Sequence, residues 1–315
     1  MHIPDGFIDG KTALVTGALS ATGVALALRR VKRELPPRKI PLLGLAAAFL
    51  FAAQMVNFPV AGGTSGHLIG GALVAALLGP SAAVVVVTTV LIVQCFLFAD
   101  GGVTALGANI FNMAIINSVG GYIIYQPISR WLGGIRGRVT ALAFAGWCAA
   151  VIAAIACAGQ LAWSGTVDWS VGFPAMAGTH MLIGIGEGLI SALVFLAISR
   201  TRPEMIADTS EQSRRGMGVI GYGLLLSLGV AIFIAPFTCR WPDGLEHVAT
   251  KLGFEHKATP SLIHAPVADY RIPGMTWAVG ATAIAGVLGS LIVFAFAFLL
   301  GRMLVPKKAP EPANS

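Results

Sequence analysis

The chain has 315 residues, of which 56% are apolar and only 11% charged. A soluble domain carries about a quarter charged residues, so one core under a charged skin is excluded and a protein solvated largely by lipid is indicated. The net charge of +7 does not imply a nucleic-acid partner, because the basic residues lie in short clusters between apolar runs and report membrane orientation instead.

A membrane span needs about 20 apolar residues. The apolar runs predict nine crossings, near 12–28, 40–60, 68–79, 81–98, 107–127, 139–163, 178–200, 216–236 and 275–301. The third is short and ends at Gly79-Pro80, which suits a tilted or partly re-entrant helix. With the amino terminus outside, one inner loop holds Arg29, Arg30, Lys32, Arg33, Arg38 and Lys39. The next inner loops hold Arg130, Arg136 and Arg138, then Arg200, Arg202, Arg214 and Arg215, then Arg302, Lys307 and Lys308. Of 21 basic residues, Lys11, Arg240, Lys251, Lys257 and Arg271 remain outside. This is the bias of the positive-inside rule. Omitting the short third segment would put Arg130 to Arg138 on the wrong side.

The expected fold is therefore an all-α polytopic membrane protein. A seven-helix unit occupies 1–200, a polar inner linker 201–215, and a two-span unit 216–305 with a long outer loop at 237–274. The Pro-rich tail 306–315 reads as disordered. Cys95, Cys148 and Cys157 sit inside apolar runs, Cys239 stands in a polar loop, and no CxxC occurs. In the first helix, Ala13, Gly17, Ala21 and Ala25 form a small-residue stripe that lets another helix approach closely. That helix belongs either to this chain or to a partner subunit.

The chain opens "MHIPDGF". A free Met1 amine, the His2 amide and His2 Nδ1 close a five-membered and a six-membered chelate ring around one metal ion. Three nitrogens so held are nearly coplanar, which suits Ni(II) or Cu(II) and strains tetrahedral Zn(II). Binding releases the amine and amide protons, so affinity rises with pH. The bulky His2 protects the initiator Met, and Pro4-Asp5-Gly6 is a turn signal that folds the terminus back. The stretch "NFPVAGGTSGHLIGG" brings His67 to the same side of the membrane, with Gly62, Gly63 and Gly66 leaving room for a foreign segment. His67 is the expected fourth ligand.

Asn57, Ser65, Asn109, Asn112 and His180 are candidates for orienting these ligands from behind, the alternative being hydrogen bonds between helices. Glu187, an intramembrane carboxylate between two glycines, is a functional candidate by default, with its role open. Two other classes compete. Gly63-Thr64-Ser65-Gly66 with His180 as base fits a rhomboid-like intramembrane serine protease, and an independent secondary metal transporter would need no ATPase.

Four stretches resemble one family: "MHIPDGF" at 1–7, "NFPVAGGTSGHLIGGAL" at 57–73, "FADGGVTALGANIFNMA" at 98–114 and "GTHMLIGIGEGLI" at 178–190. They are similar to the nickel/cobalt substrate-capture component (NikM/CbiM type) of energy-coupling-factor transporters. "WPDGLEHVATKLGFEHK" at 241–257 resembles the PDGLE segment of the small auxiliary component (NikN type), here fused at the carboxyl end. The resemblance implies a helical bundle in a bacterial cytoplasmic membrane and a square of four nitrogens: the Met1 amine, the His2 amide and imidazole, and the His67 imidazole. It implies Ni2+, with Co2+ second, as transported substrate rather than cofactor. It also implies a membrane coupling subunit, for which the stripe from Ala13 to Ala25 is a contact candidate, and separate ATPase subunits. The chain has no GxxxxGK[ST] phosphate loop of its own and is not expected to be an enzyme. The loop 237–274 is expected to meet the capture site from outside.

Overall fold

The computed structural model describes residues 1–202 and 216–305, the side chains of 216–219 excepted. All but the first two residues of the expected linker 201–215, and the whole tail 306–315, lie outside the described residues. The fold is almost entirely helical. It runs through α1 (Gly10–Glu34), α2 (Ile40–Gln54), the hairpin β1 (Phe58–Val60) and β2 (Thr64–Gly66), α3 (Gly71–Leu78) and α4 (Pro80–Phe98). A continuous helical run follows: α5 (Leu106–Asn109), a wide-turned π segment (Ile110–Gly120) and α6 (Gly121–Leu132). Then come α7 (Gly134–Trp163), α8 (Trp169–Thr201), α9 (Gly216–Phe233), the short α10 (Gly244–Leu252) and α11 (Ala278–Leu304).

Among the described residues, α1, α4, α7, α8, α11 and the stretch Ile220–Phe237 are each long and apolar enough to cross a bilayer alone. The protein is a multi-pass membrane protein. Several expected spans have different bounds. The helix expected over 40–60 stops at Gln54, because Asn57 to Gly66 turns into the β-hairpin. The helix expected from 178 begins at Trp169 and carries Pro174 in its second turn, where the ring leaves the Ser170 carbonyl without its helical donor. The expected third span has only eight helical residues, α3, about 12 Å long. The chain around it still joins two distant regions. His67 lies beside Met1, whereas Gly79 lines a cavity with Lys39, Arg130 and Arg138.

A helix as short as α3 is stable only if its amino-end donors find partners. Glu187 of α8 accepts from Ile69 N (2.6 Å) and Gly70 N (2.9 Å), and Asn117 Oδ1 accepts from Ala72 N (3.1 Å). The intramembrane carboxylate is thus the cap of the segment that follows His67. Helices α7 and α8 pack so closely that a Cβ at Gly188 would strike the Ala143 carbonyl; small residues permit that approach in a bilayer. Helix α11 packs along α2, joining the two expected units.

The small-residue stripe of α1 divides. Ala13 and Gly17 are half-buried, Gly17 against Gly107 of α5, while Ala21 and Ala25 are exposed. The face that α1 turns inward is instead Thr12, Thr16, Ser20, Ala27 and Val31. Ser20 donates to the Gly107 carbonyl at 2.6 Å.

Candidate metal centre

The amino terminus is built into the protein. Met1 is 4% exposed and Ile3 fully buried. Asn109 pairs with the Ile3 backbone from both sides: Ile3 N donates to Oδ1 (2.8 Å) and Nδ2 donates to Ile3 O (3.1 Å). Gly102 N also donates to Ile3 O at 2.8 Å. The Asp5 carboxylate accepts from Val103 N (3.2 Å), Thr104 N (2.8 Å) and Thr104 Oγ1 (2.5 Å). Gly6, at φ +89°, carries the turn and packs against the Lys257 carbonyl. A Cβ there would be both strained and blocked. The turn signal Pro4-Asp5-Gly6 therefore does more than reverse the chain. It stitches the terminus to the segment before α5 and to the loop after α10, where Thr259 N donates to Asp5 O at 2.9 Å.

This clamp sets the Met1 amine 3.0 Å from His67 Nε2. The His2 and His67 rings stack with centroids 5.4 Å apart. The structure brings together the three residues expected to bind metal. His2 is held on both ring nitrogens: Nδ1 lies 3.1 Å from Asp100 Oδ1, and Nε2 lies 3.3 Å from Gln94 Oε1. Asp100 accepts in turn from the Tyr270 hydroxyl at 2.5 Å. Burial, aided by the terminal ammonium and by His2, holds the His67 imidazole well below its usual range. Burial likewise lowers His2, against the pull of Asp100. Both rings are therefore neutral near pH 7, the form that ligates metals.

The loop between α9 and α11 enters through Asp243. Its Oδ2 accepts from the Met1 amine at 2.6 Å, while Oδ1 caps α10 by accepting from Leu245 N (2.8 Å) and Glu246 N (2.9 Å). Burial alone would raise this carboxyl; the charge of the terminal ammonium and its hydrogen bond reverse that and take it below the usual range. The segment 241–243 is seated by strand addition on the β-hairpin: Ser65 N donates to Pro242 O at 2.8 Å, and Ser65 pairs with Asp243. A cavity of about 900 Å³ lies above, lined by His2, Gln54, His67, Asp100, Asp243 and Tyr270 among others.

The residues expected to orient the ligands have different placements. Asn109 does so through Ile3. The Ser65 hydroxyl donates to Trp241 O (2.7 Å), which commits it to the loop. Asn57 meets the same loop through its backbone, its carbonyl accepting from Cys239 N (2.9 Å). Asn112 spends both ends of its amide on Gln160, at 2.8 Å each. His180 Nδ1 donates to Met176 O (2.9 Å), and the other side of its ring abuts Gly244. Sequence reasoning missed Gln54, Gln94, Asp100 and Asp243. Among the described residues, no cluster of three or more His, Cys, Asp or Glu side chains has metal-holding geometry. A donor set made of an amine, a backbone amide and two imidazoles contains only two such side chains.

Residues 2–205 match the profile of the CbiM family, described as the cobalt uptake substrate-specific transmembrane region. The chain belongs to this family. Residues 217–306 match the PDGLE domain, so a CbiM-type region is followed by a NikN-type unit in one chain. A chain from Archaeoglobus fulgidus, provisionally named fused nickel transport protein NikMN, is 36% identical, covering 96% of this chain and 98% of its own. The cobalt transport protein CbiM of Geobacter sulfurreducens is 29% identical, over 82% of this chain and 80% of its own. A crystal structure of a truncated transition metal transporter superposes with a TM-score of 0.58 at 34% identity, covering 64% of this chain and 99% of its own.

Proposed function

We propose that this CbiM-type chain captures a divalent transition metal ion for uptake, Ni2+ in first place and Co2+ in second, as the substrate-binding component of an energy-coupling-factor transporter in the cytoplasmic membrane. The observation that carries this reading is the buried Met1 amine 3.0 Å from His67 Nε2, with the ring of the adjacent His2 stacked on that of His67. Adjacent donors of a square with metal–nitrogen bonds of about 2.0 Å stand about 2.8 Å apart. An amine and an imidazole at 3.0 Å fit neighbouring corners. The His2 amide and His2 Nδ1 complete the set as chelating donors. Four nitrogens favour a square-planar ion, and relatives named for nickel carry the same fusion.

The chain binds and releases the ion, and ATP hydrolysis falls to partner subunits reached through a membrane coupling subunit. The same reading has the amino terminus outward, nine crossings, a capture unit at 1–200, a linker at 201–215 and an auxiliary two-span unit at 216–305. The exposed part of the α1 stripe, Ala21 and Ala25, is available to the coupling subunit.

The test is metal analysis and titration calorimetry on purified protein. Wild type should bind one Ni2+ per chain, Co2+ more weakly. His2→Ala removes the chelating imidazole, and His67→Ala removes another corner; each should abolish binding. Unchanged affinity in either variant overturns the assignment.

A further inference from the structure

An imidazole can present either nitrogen to a metal, and only Nδ1 of His2 can close a ring with its own backbone amide. The structure contains a device that decides between them. Gln54 Nε2 donates to Ile69 O at 2.9 Å, Gln94 Nε2 donates to Gln54 Oε1 at 2.9 Å, and Gln94 Oε1 faces His2 Nε2 at 3.3 Å. Both glutamines are buried, Gln94 fully.

The orientation of a glutamine amide is normally ambiguous, but here it is anchored. A backbone carbonyl only accepts, so Gln54 must turn its NH2 to Ile69 and its oxygen to Gln94. Gln94 must then turn its NH2 to Gln54 and its oxygen to His2. The anchor is itself immobile. Across the planar Ile69–Gly70 peptide, the Gly70 N–H and the Ile69 N–H are both held by Glu187. An oxygen facing His2 Nε2 requires a proton on that nitrogen.

We propose that the Gln54–Gln94 pair is a tautomer relay. It fixes the proton of neutral His2 on Nε2 and leaves the Nδ1 lone pair for the incoming ion. The inference rests on the capture reading only for its purpose, not for its geometry. One group competes: Asp100 Oδ1, 3.1 Å from Nδ1, pulls a proton the other way. Asp100 is partly exposed and already accepts from Tyr270, so its carboxylate can turn to water. Gln94 cannot turn, and a bare Nε2 there would face the amide oxygen's lone pairs and leave a fully buried acceptor without a donor. The terminal amine and Asp243 complete the charges near the ring, and His67 beside it is neutral. Gln54 and Gln94 are thus positioning residues acting through His2.

The test reads the proton directly. The full chain, labelled with [15N]histidine and stripped of metal, is placed in detergent at about pH 8, where imidazoles are neutral, and the resonances of its six histidines are recorded. The His2 signals are assigned by their loss in His2→Gln. The expected result is a protonated Nε2 and a bare Nδ1. Gln94→Leu should move the proton toward Nδ1. Gln54→Leu should do so in part, and should add nothing in the Gln94→Leu background. A wild-type ring protonated on Nδ1, or an unchanged pattern in folded Gln94→Leu, overturns the relay. Should the variants fail to fold, the wild-type spectrum alone decides. Because no metal is present, the result is independent of whether the chain binds nickel, which calorimetry on wild type reports separately.

Discussion

The clamp on the amino terminus makes a quantitative prediction at Asn109. Its side chain holds Ile3 N–H and Ile3 C=O, both buried. In Asn109→Ala the carbonyl keeps Gly102 N, so that half of the loss is an ordinary net hydrogen bond of about 0.5–1.5 kcal/mol. The amide loses its side-chain partner in a dry site, which costs about 1–3 kcal/mol. Together these come to roughly 1.5–4.5 kcal/mol. The variant relieves the loss by letting residues 1–3 come loose. Metal binding must then order them again, and the cost appears in the affinity. At about 1.4 kcal/mol per decade, Ni2+ affinity should fall by about tenfold to a thousandfold, with the helical bundle largely intact. Titration calorimetry supplies the affinity and circular dichroism the fold. An Asn109→Ala protein that binds nickel like wild type would show that preorganisation of the terminus is not what makes the site.

Two further outcomes follow from the charges. His67 is depressed below the ordinary imidazole value of 6.5, so the unfolded chain takes up a proton below that pH while the folded one does not. Stability is fully present above pH 6.5 and falls as the pH drops below it, at a rate approaching about 1.4 kcal/mol per pH unit. Thermal unfolding in detergent should show this slope, and His67→Gln should reduce it, leaving the part that the likewise depressed His2 contributes. Asp243 has two jobs that Asn separates, because Asn caps a helix about as well as Asp but carries no charge. Asp243→Asn should keep α10 and lose the ionic hold on Met1, about 1.5–3 kcal/mol for a bond to a charged group. Amide exchange at Ser65, whose N–H donates to the Pro242 carbonyl, should then quicken by roughly tenfold to a hundredfold, while exchange across α10 stays slow. Equal protection in both proteins would deny the ion pair a role in docking.

The parts legible in the sequence and the parts that were not divide along a physical line. Long apolar runs identified the membrane helices, because a bilayer imposes length and apolarity on every crossing. The proposed chelate could be read along the chain because its geometry is covalent: the amine, amide and imidazole of Met1-His2 are neighbours in sequence. His67 was legible through the glycines around it. The bounds of α2 and α8 were missed because a hairpin and an early proline override hydropathy locally. Asp100, Asp243 and the two glutamines were missed for a different reason. Each acts through a partner from another element, and no spacing within one segment encodes that meeting. Asp243 offered half a signal. In "PDGLE" an Asp followed three residues later by Glu is a capping box, which the structure confirms. Capping uses one carboxylate oxygen; the other was free to take the Met1 amine. A residue explained completely by local structure can still carry a long-range contact, and here that contact ties the auxiliary loop to the first atom of the chain.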